Sequence, residues 1–466
     1  MSFPIVVLIA SFLILLVLNV PVAFCMGVAA MLSILVMGDL PTFMAVAHKI
    51  ATGIDSFSLL AIPFFIFSGL LMGHGGIARR LIDFANVLVG RFRGGLAFVN
   101  ILTCMLFGAI SGSAAAAVSS VGGFMIPLMN KRGYEKNFNT AVTVTAATTG
   151  LLIPPSNVMI VYSLATGGIV SIAAIFMAGV IPGIIVGLAL MLVAGIMSVK
   201  YKYGEGEPIN LIQAIKNFWN AYNEDSEAFT KYLDIRLRSF YKWLVPVLAG
   251  FLQAVPALLL IYIVLGGILK GWFTATEASA IAVLYAFILA VFVYKEVKFK
   301  QIPKILLQCG ITTAVVFLLI GTSMAMSWVL AAENVPQDIT AALLSLTDNK
   351  ILLLLMINLI LLAVGTFMDM TPAVLIFTPI FLPIATGIGI HPVHFGIIMI
   401  MNLCIGLCTP PVGTCLFLGC GIGETTVTKV IPKILWFFVA MVVSLLVCSY
   451  MPFLSLWLPE SLGLLK

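Results

Sequence analysis

Charge is scarce in this sequence: only 9% of its 466 residues are Asp, Glu, Lys or Arg, and 62% are hydrophobic. Soluble domains carry about 25% charged and 45–50% apolar residues, so water is not the solvent for most of this surface. Histidine is also rare, with four residues read as lying in loops or near membrane interfaces. His391-x-x-His394 lacks a third ligand, and Cys404 and Cys408 lack partners at metal-ligand spacing, which argues against a transition-metal site. The eight cysteines fall mostly inside apolar stretches and read as small buried hydrophobes. No Gly-rich loop with a following Lys is present, which excludes a phosphate cradle for ATP. The net charge of +6 is spread over short loops and forms no stripe suited to nucleic acid.

What the chain does contain is a near-continuous series of apolar runs long enough for spanning helices of about 20 residues. It reads as one multi-pass membrane unit. The N-terminus has no basic region before its first apolar run and no clean small-residue cleavage site, so the first helix is expected to be retained.

An internal repeat organises these runs. Gly150–Leu151–Leu152–Ile153–Pro154–Pro155 and Gly406–Leu407–Cys408–Thr409–Pro410–Pro411 both read Gly-x-x-x-Pro-Pro, 256 residues apart. The same displacement relates Gly133 to Gly389. With a slip of one, the segment from Gly108 through Ser111, Gly112 and Ser113 matches the segment from Gly365 to Asp369 and Met370. Each half then holds an apolar stretch interrupted midway, 96–129 and 351–385, which suits a re-entrant helical hairpin. A long helix broken by Pro-Pro follows, 137–166 and 393–421. Proline breaks the helical ladder and disfavours helix in the residue before it. Unwound backbone survives in a bilayer only where protein or a wet cavity satisfies it, so each break is a candidate site.

Loop charges predict the orientation. Arg79, Arg80, Arg91, Arg93, Lys131, Arg132, Lys200 and Lys202 fall on one side if the first hairpin enters and leaves by the same face, and the positive-inside rule makes that side cytoplasmic. The second hairpin then enters from the opposite face. The expectation is an all-α polytopic membrane protein of two inverted-topology repeats, 1–199 and 244–466, joined by a connector over 200–243. Residues 200–242 hold 13 of the 42 charged residues around Ile212, Ile215, Trp219 and Tyr222. That pattern reads as a cytoplasmic amphipathic helix lying on the membrane.

A broken helix offers the positive end of one half and the carbonyl-rich end of the other, so it can hold an anion and a cation together. Ser111 and Ser113 would otherwise serve helix packing in a small-residue run; their place at a hairpin tip favours a site. Asp369 is the only acid from Asn349 to His394. A charge at the bilayer centre costs roughly 2.5–3.5 kcal/mol, so it should face a cavity or cap a half-helix. Thr274-x-x-Glu277 reads as a capping box opening the next helix.

Taken together, Gly271–Trp272–Phe273–Thr274–Ala275–Thr276–Glu277–Ala278, the Ser111–Gly112–Ser113 tip, the two Gly-x-x-x-Pro-Pro breaks and Asp369–Met370–Thr371–Pro372 resemble the large (M) subunit of tripartite ATP-independent periplasmic (TRAP) transporters over essentially the whole chain. The resemblance implies a sodium-coupled, elevator-type importer of a small carboxylate in the bacterial inner membrane. Its partners would be a small four-helix membrane (Q) subunit and a periplasmic binding protein. Carried over by position, one sodium site would involve Ser111, Ser113, Gly150, Ile153 and Pro155. Its counterpart would involve Gly365, Gly406, Thr409 and Val412. Substrate would lie near Gly112, Asn157, Asp369 and Thr371. The departures are Ala275, where the family more often has Pro, and the long connector. An organic-anion symporter working without a binding protein is the alternative. An intramembrane serine protease would need a His base near Ser111, and no His falls inside a predicted span. A passive channel would not require paired broken helices.

Overall fold

Apolar side chains recur on every face of most segments, and the computed structural model resolves each run into helix. It describes residues 2–18, 20–38, 41–203, 248, 250–347, 349–410 and 413–465. Most of the connector, including Ile212, Ile215, Trp219 and Tyr222, lies outside the described residues, as does Val412. Among the described residues the regular structure is helical, with no strand.

Among the described residues, five α-helices precede the first interrupted stretch: α1 (Phe3–Val17), α2 (Val22–Met37), α3 (Thr42–Ile54), α4 (Ala61–His74) and α5 (Ile77–Val89). The first half continues through α6 (Gly95–Ser111), α7 (Ala114–Lys131), α8 (Lys136–Thr149), α9 (Asn157–Ala165) and α10 (Ile172–Lys200). The second half follows with α11 (Gly250–Leu269), α12 (Ala275–Phe287), α13 (Ile302–Ala332) and α14 (Val335–Leu346). It closes with α15 (Lys350–Phe367), α16 (Met370–Gly387), α17 (Pro392–Gly406), α18 (Thr414–Ile422), α19 (Val427–Tyr450) and α20 (Phe453–Ser461). Among the described residues, eight segments are long and apolar enough to cross a bilayer. On α10 the residues Ile184, Leu188, Leu192 and Ile196 form an exposed stripe at helical spacing, while Ala178, Val186, Leu190 and Ala194 are buried on the other side. An apolar helix in a bilayer can show one face to lipid and another to its neighbours.

Both interrupted stretches fold as helix–turn–helix pairs. The first turns at Gly112, whose φ of +62° is left-handed and so favours glycine. The second turns at Met368 and Asp369, both extended. Gly133 and Gly389, matched by the repeat, are both left-handed, with φ of +78° and +85°. Both long helices break where the Pro-Pro motifs stand, α8 giving way to α9 and α17 to α18.

Packing pairs corresponding elements of the two halves. Helices α6 and α7 pack on α8, as α15 and α16 pack on α17. The second arm of each hairpin packs on the far segment of the other half's broken helix, α7 on α18 and α16 on α9. Buried amides fix each register: Asn100 Nδ2 donates to Thr143 Oγ1 at 2.7 Å, and Asn402 Nδ2 donates to Asn358 Oδ1 at 2.7 Å. Interhelical hydrogen bonds in membranes are worth about 0.6 kcal/mol each, so these select alignment more than they add stability.

The Thr274–Glu277 capping box is present, with the Glu277 N–H donating to Thr274 Oγ1 and the Thr274 N–H donating to Glu277 Oε2. All eight cysteines are buried. One histidine departs from the expected loop or interface placement. His394 is buried in the first turn of α17, its Nδ1 2.6 Å from Ser455 Oγ and its Nε2 3.2 Å from the Ser449 carbonyl. The two hydroxyl and carbonyl partners on neighbouring segments let this polar ring sit inside.

Candidate substrate cavity

At each break two backbones touch. A Cβ on Gly150 would stand 2.3 Å from Gly108 Cα, and one on Gly406 would stand 2.4 Å from the Gly365 carbonyl oxygen. Only glycine permits this approach at Gly108, Gly150 and Gly406, while a Cβ on Gly365 would stand 3.2 Å from Gly406 Cα. The contact holds the C-terminal end of each first hairpin arm against the C-terminal end of the helix that breaks. Gly150, Gly365 and Gly406 therefore sit buried behind the turns, and none of them lines the cavity in front.

In front of the turns lies a cavity of about 790 Å³, lined by Ser111, Gly112, Ser113, Asn157, Asp369 and Thr371 among others. Every residue expected near substrate is on this wall. Of the residues carried over for sodium, Ser111 and Ser113 reach it, while Ile153, Pro155 and Thr409 do not line it. Gly112 links the two sets: a Cβ there would stand 3.4 Å from both the Pro155 carbonyl oxygen and Asn157 Nδ2.

Four helix N-termini converge on the cavity. Its wall includes Ser113 and Ala114 at the start of α7, Asn157 and Val158 at the start of α9, Asp369 and Met370 at the start of α16, and Thr414 and Cys415 at the start of α18. Ser113 caps its helix by accepting from the Ala116 N–H at 3.3 Å. Ser156 and Asp369 make no side-chain cap bond to theirs, and the N-cap of α18 is Gly413. N-terminal N–H groups have no intrahelical acceptor, and each helix end carries roughly +0.5 of a charge. No Lys or Arg lies among the described lining residues. The positive field here is built from backbone.

The Thr409 and Ser111 hydroxyls each donate to a backbone carbonyl and keep acceptor capacity. Thr409 Oγ1 donates to the Ile405 carbonyl at 2.7 Å, leaving its lone pairs free for a cation. Ser111 Oγ bridges the turn, 3.4 Å from both the Ser113 carbonyl and the Ser113 N–H. The oxygens Ser156 Oγ and Asn157 Oδ1 are buried with no hydrogen-bond partner.

Residues outside the expected set also form the wall. Gly69 on α4 comes so close to the first turn that a Cβ would stand 2.8 Å from the Ser111 carbonyl oxygen. Gln308 and Thr312 on α13 line the same cavity; two polar residues one turn apart in an apolar run were a signal open to sequence reading. His74, at the end of α4, lines it too, so one histidine shares this cavity with Ser111. Its Nδ1 bonds the Leu70 carbonyl at 2.9 Å, and the Ser111 hydroxyl is engaged with Ser113, so the two form no nucleophile–base pair. A second cavity of about 780 Å³ lies toward the far end of α9, lined by Ser163, Val170, Ser323, Leu375 and Pro379. Segments of α9, α13 and α16 contribute to both cavities.

The family model for the tripartite ATP-independent periplasmic transporter, DctM component, matches residues 9–454. The chain belongs to this family. It is 49% identical to the protein YgiK of Salmonella typhimurium, over 98% of this chain and 97% of that one. It is 38% identical to the C4-dicarboxylate TRAP transporter large permease protein DctM of Pseudomonas aeruginosa, over 94% of each. It is 39% identical to the isethionate TRAP transporter permease protein DctMQ of Oleidesulfovibrio alaskensis, over 96% of this chain and 65% of that protein. This TRAP subunit is thus a large permease, a multi-pass transporter of the bacterial inner membrane and not an enzyme, working with a small permease and a periplasmic binding protein.

Proposed function

We propose that this large permease imports a small carboxylate delivered by its periplasmic binding protein, and that a sodium gradient drives the import by an elevator movement of two inverted repeats. The observation that carries the reading is the convergence of four helix N-termini on a cavity with no Lys or Arg among its described lining residues. Such a field suits an oxyanion. The names of two relatives, for C4-dicarboxylates and for isethionate, both denote small organic anions.

Sodium belongs at the C-terminal ends of the helices that precede each turn or break. Four C-terminal ends, those of α6, α8, α15 and α17, carry roughly −0.5 each, which two monovalent cations would neutralise. Sodium favours hard oxygen donors, and the backbone around Gly150, Ile153, Pro155, Gly365 and Gly406 supplies carbonyls beside the Ser111 and Thr409 hydroxyls. Binding a cation behind a turn steadies that turn, and the turn shapes the anion cavity in front of it. That is the coupling.

Two cavities sharing α9, α13 and α16 suit alternating access. The one with Asp369 runs toward His74, Ser120 and Gln308, near the basic loops read as cytoplasmic; the other lies toward the opposite side. An elevator movement of α6–α9 and α15–α18 past α4 and α13 would exchange them.

The test is uptake in proteoliposomes holding both permease subunits, with the binding protein and labelled substrate outside. Uptake should require inward sodium and respond to membrane potential, each net charge being worth about 2.3 kcal/mol per 100 mV. Unchanged uptake with choline replacing sodium on both sides would refute the coupling. Uptake by the large permease alone would instead favour a symporter independent of a binding protein.

A further inference from the structure

We infer that the open end of the first hairpin holds the headgroup of a phospholipid bearing both a phosphate and a primary ammonium, as phosphatidylethanolamine does. A cavity of about 770 Å³ lies there, between α5 and the two hairpin arms, and it shares no lining residue with the two cavities above. Its size falls within the roughly 300–1,000 Å³ of small-ligand sites. Lys131 and Arg132, at the end of α7, and Asp83, on α5, line it. All three are exposed, and none makes an ion pair among the described residues. Helix ends do not supply the missing partners: the start of α6 at Leu96 and the end of α7 both border the cavity, and their half-charges of opposite sign cancel. Opposite charges that share a cavity without pairing are answered by a ligand that carries both. Its phosphate takes Lys131 and Arg132 through charge-assisted bonds, and its ammonium takes Asp83.

The surroundings select a lipid as the bearer of these groups. Lys131 and Arg132 end the apolar run of α7, on the side read as cytoplasmic, and basic pockets on that side of a membrane bind lipid headgroups. Helix α5 buries Leu81, Ile82 and Ala85 while Arg79 and Asp83 stay exposed, the pattern of a helix lying at an interface. Tyr134, buried on the cavity wall with its hydroxyl bonded to the Leu96 backbone, is an aromatic residue at the level where bilayers favour them. Leu128, also on the wall, and Phe124, one turn further along α7, are both exposed. They form an apolar track that leaves the cavity along the helix, and an acyl chain covers it where a soluble phosphate leaves it bare. A headgroup without an ammonium sets its phosphate against Asp83 with nothing to offset the repulsion, and a quaternary ammonium has no N–H to donate.

The experiment is native mass spectrometry of the purified complex of both permease subunits, titrated in detergent with phosphatidylethanolamine, phosphatidylcholine or phosphatidylglycerol of one acyl composition. Lipids held elsewhere are common to every variant, so the difference between the wild type and the double variant Lys131→Gln with Arg132→Gln isolates this site. Loss of the two charged donors should weaken phosphatidylethanolamine binding there at least about tenfold, and Asp83→Asn should abolish a wild-type preference of about tenfold over phosphatidylcholine. These side chains are exposed, and melting temperature checks that the variants fold; each single change, which should weaken binding in the same direction, replaces the double variant if it does not. Equal occupancy by phosphatidylethanolamine in the wild type and a folded variant would overturn the inference. So would phosphatidylcholine or phosphatidylglycerol binding the wild type as tightly. Glycerophosphoethanolamine, the same headgroup without acyl chains, should compete poorly, and competition equal to the lipid's would overturn the lipid as the source.

Discussion

Adding one methyl group at Gly150 tests the backbone contact on which the first break depends. In Gly150→Ala the new Cβ would lie 2.3 Å from Gly108 Cα, 2.9 Å from the Gly108 carbonyl carbon and 3.2 Å from the Cys104 carbonyl oxygen. Carbon atoms settle at about 3.5–4.0 Å, so α6 and the break must separate by roughly 1.2–1.7 Å. Every obstructing atom is backbone, and no rotamer change relieves it. Overpacking of this kind costs about 1–3 kcal/mol, and the displacement carries Ser111 and its carbonyl away from the broken helix. The expected result is a lower melting temperature together with loss of sodium-dependent uptake. Gly406→Ala should behave alike, since its Cβ would meet the Gly365 backbone at 2.4 Å. Gly123→Ala is the control: nothing lies within 4 Å of a Cβ there, and alanine is the better helix former by about 1 kcal/mol. Melting temperature and uptake measured on the three variants decide the matter. Wild-type behaviour of Gly150→Ala would refute the claim that close backbone contact builds the site.

Three further outcomes are expected. Asp369→Asn should keep its melting temperature, because the side chain makes no capping bond that the change would remove, while uptake falls sharply; wild-type uptake would remove the charge from the mechanism. Ser111→Ala and Thr409→Ala each delete one hydroxyl without opening a packed core, so both should weaken sodium affinity at unchanged expression, and normal affinity in both would leave these hydroxyls a packing role only. Burial by itself would raise the Glu135 carboxyl, but hydrogen bonds from Lys433, at 2.8 Å, and from the Tyr203 hydroxyl outweigh it and hold the group below its ordinary range. A depressed folded value gives stability that is present above the unfolded value near 4.5 and is lost as pH falls through the folded one. Melting scans from pH 7 down to 3 should therefore show an acid loss that is smaller in Lys433→Met, and identical pH profiles would discount the pair.

The sequence by itself determined the membrane, the helices and the places where they break. Scarce charge and long apolar runs leave lipid as the solvent. Proline removes a donor wherever the chain is folded, and Gly112, Gly133 and Gly389 mark left-handed turns, a local property of backbone sterics. Ser111, Gly112, Ser113, Asn157, Asp369 and Thr371 were legible for the same reason, since hydroxyls, an amide and an acid at breaks in apolar helices announce polar surroundings. Partner choice was not legible. A helix that is apolar on nearly every face gives little sign of which neighbour it will meet, so only the tertiary structure put α7 against α18 and α9 against α16. That crossing of the halves brings four helix N-termini to one cavity. It also brings in Gly69, Gln308 and Thr312 from helices outside the repeat motifs, and it leaves Gly150 and Gly406 behind the wall, where close contact between glycines is a relation between two distant segments that neither segment contains alone.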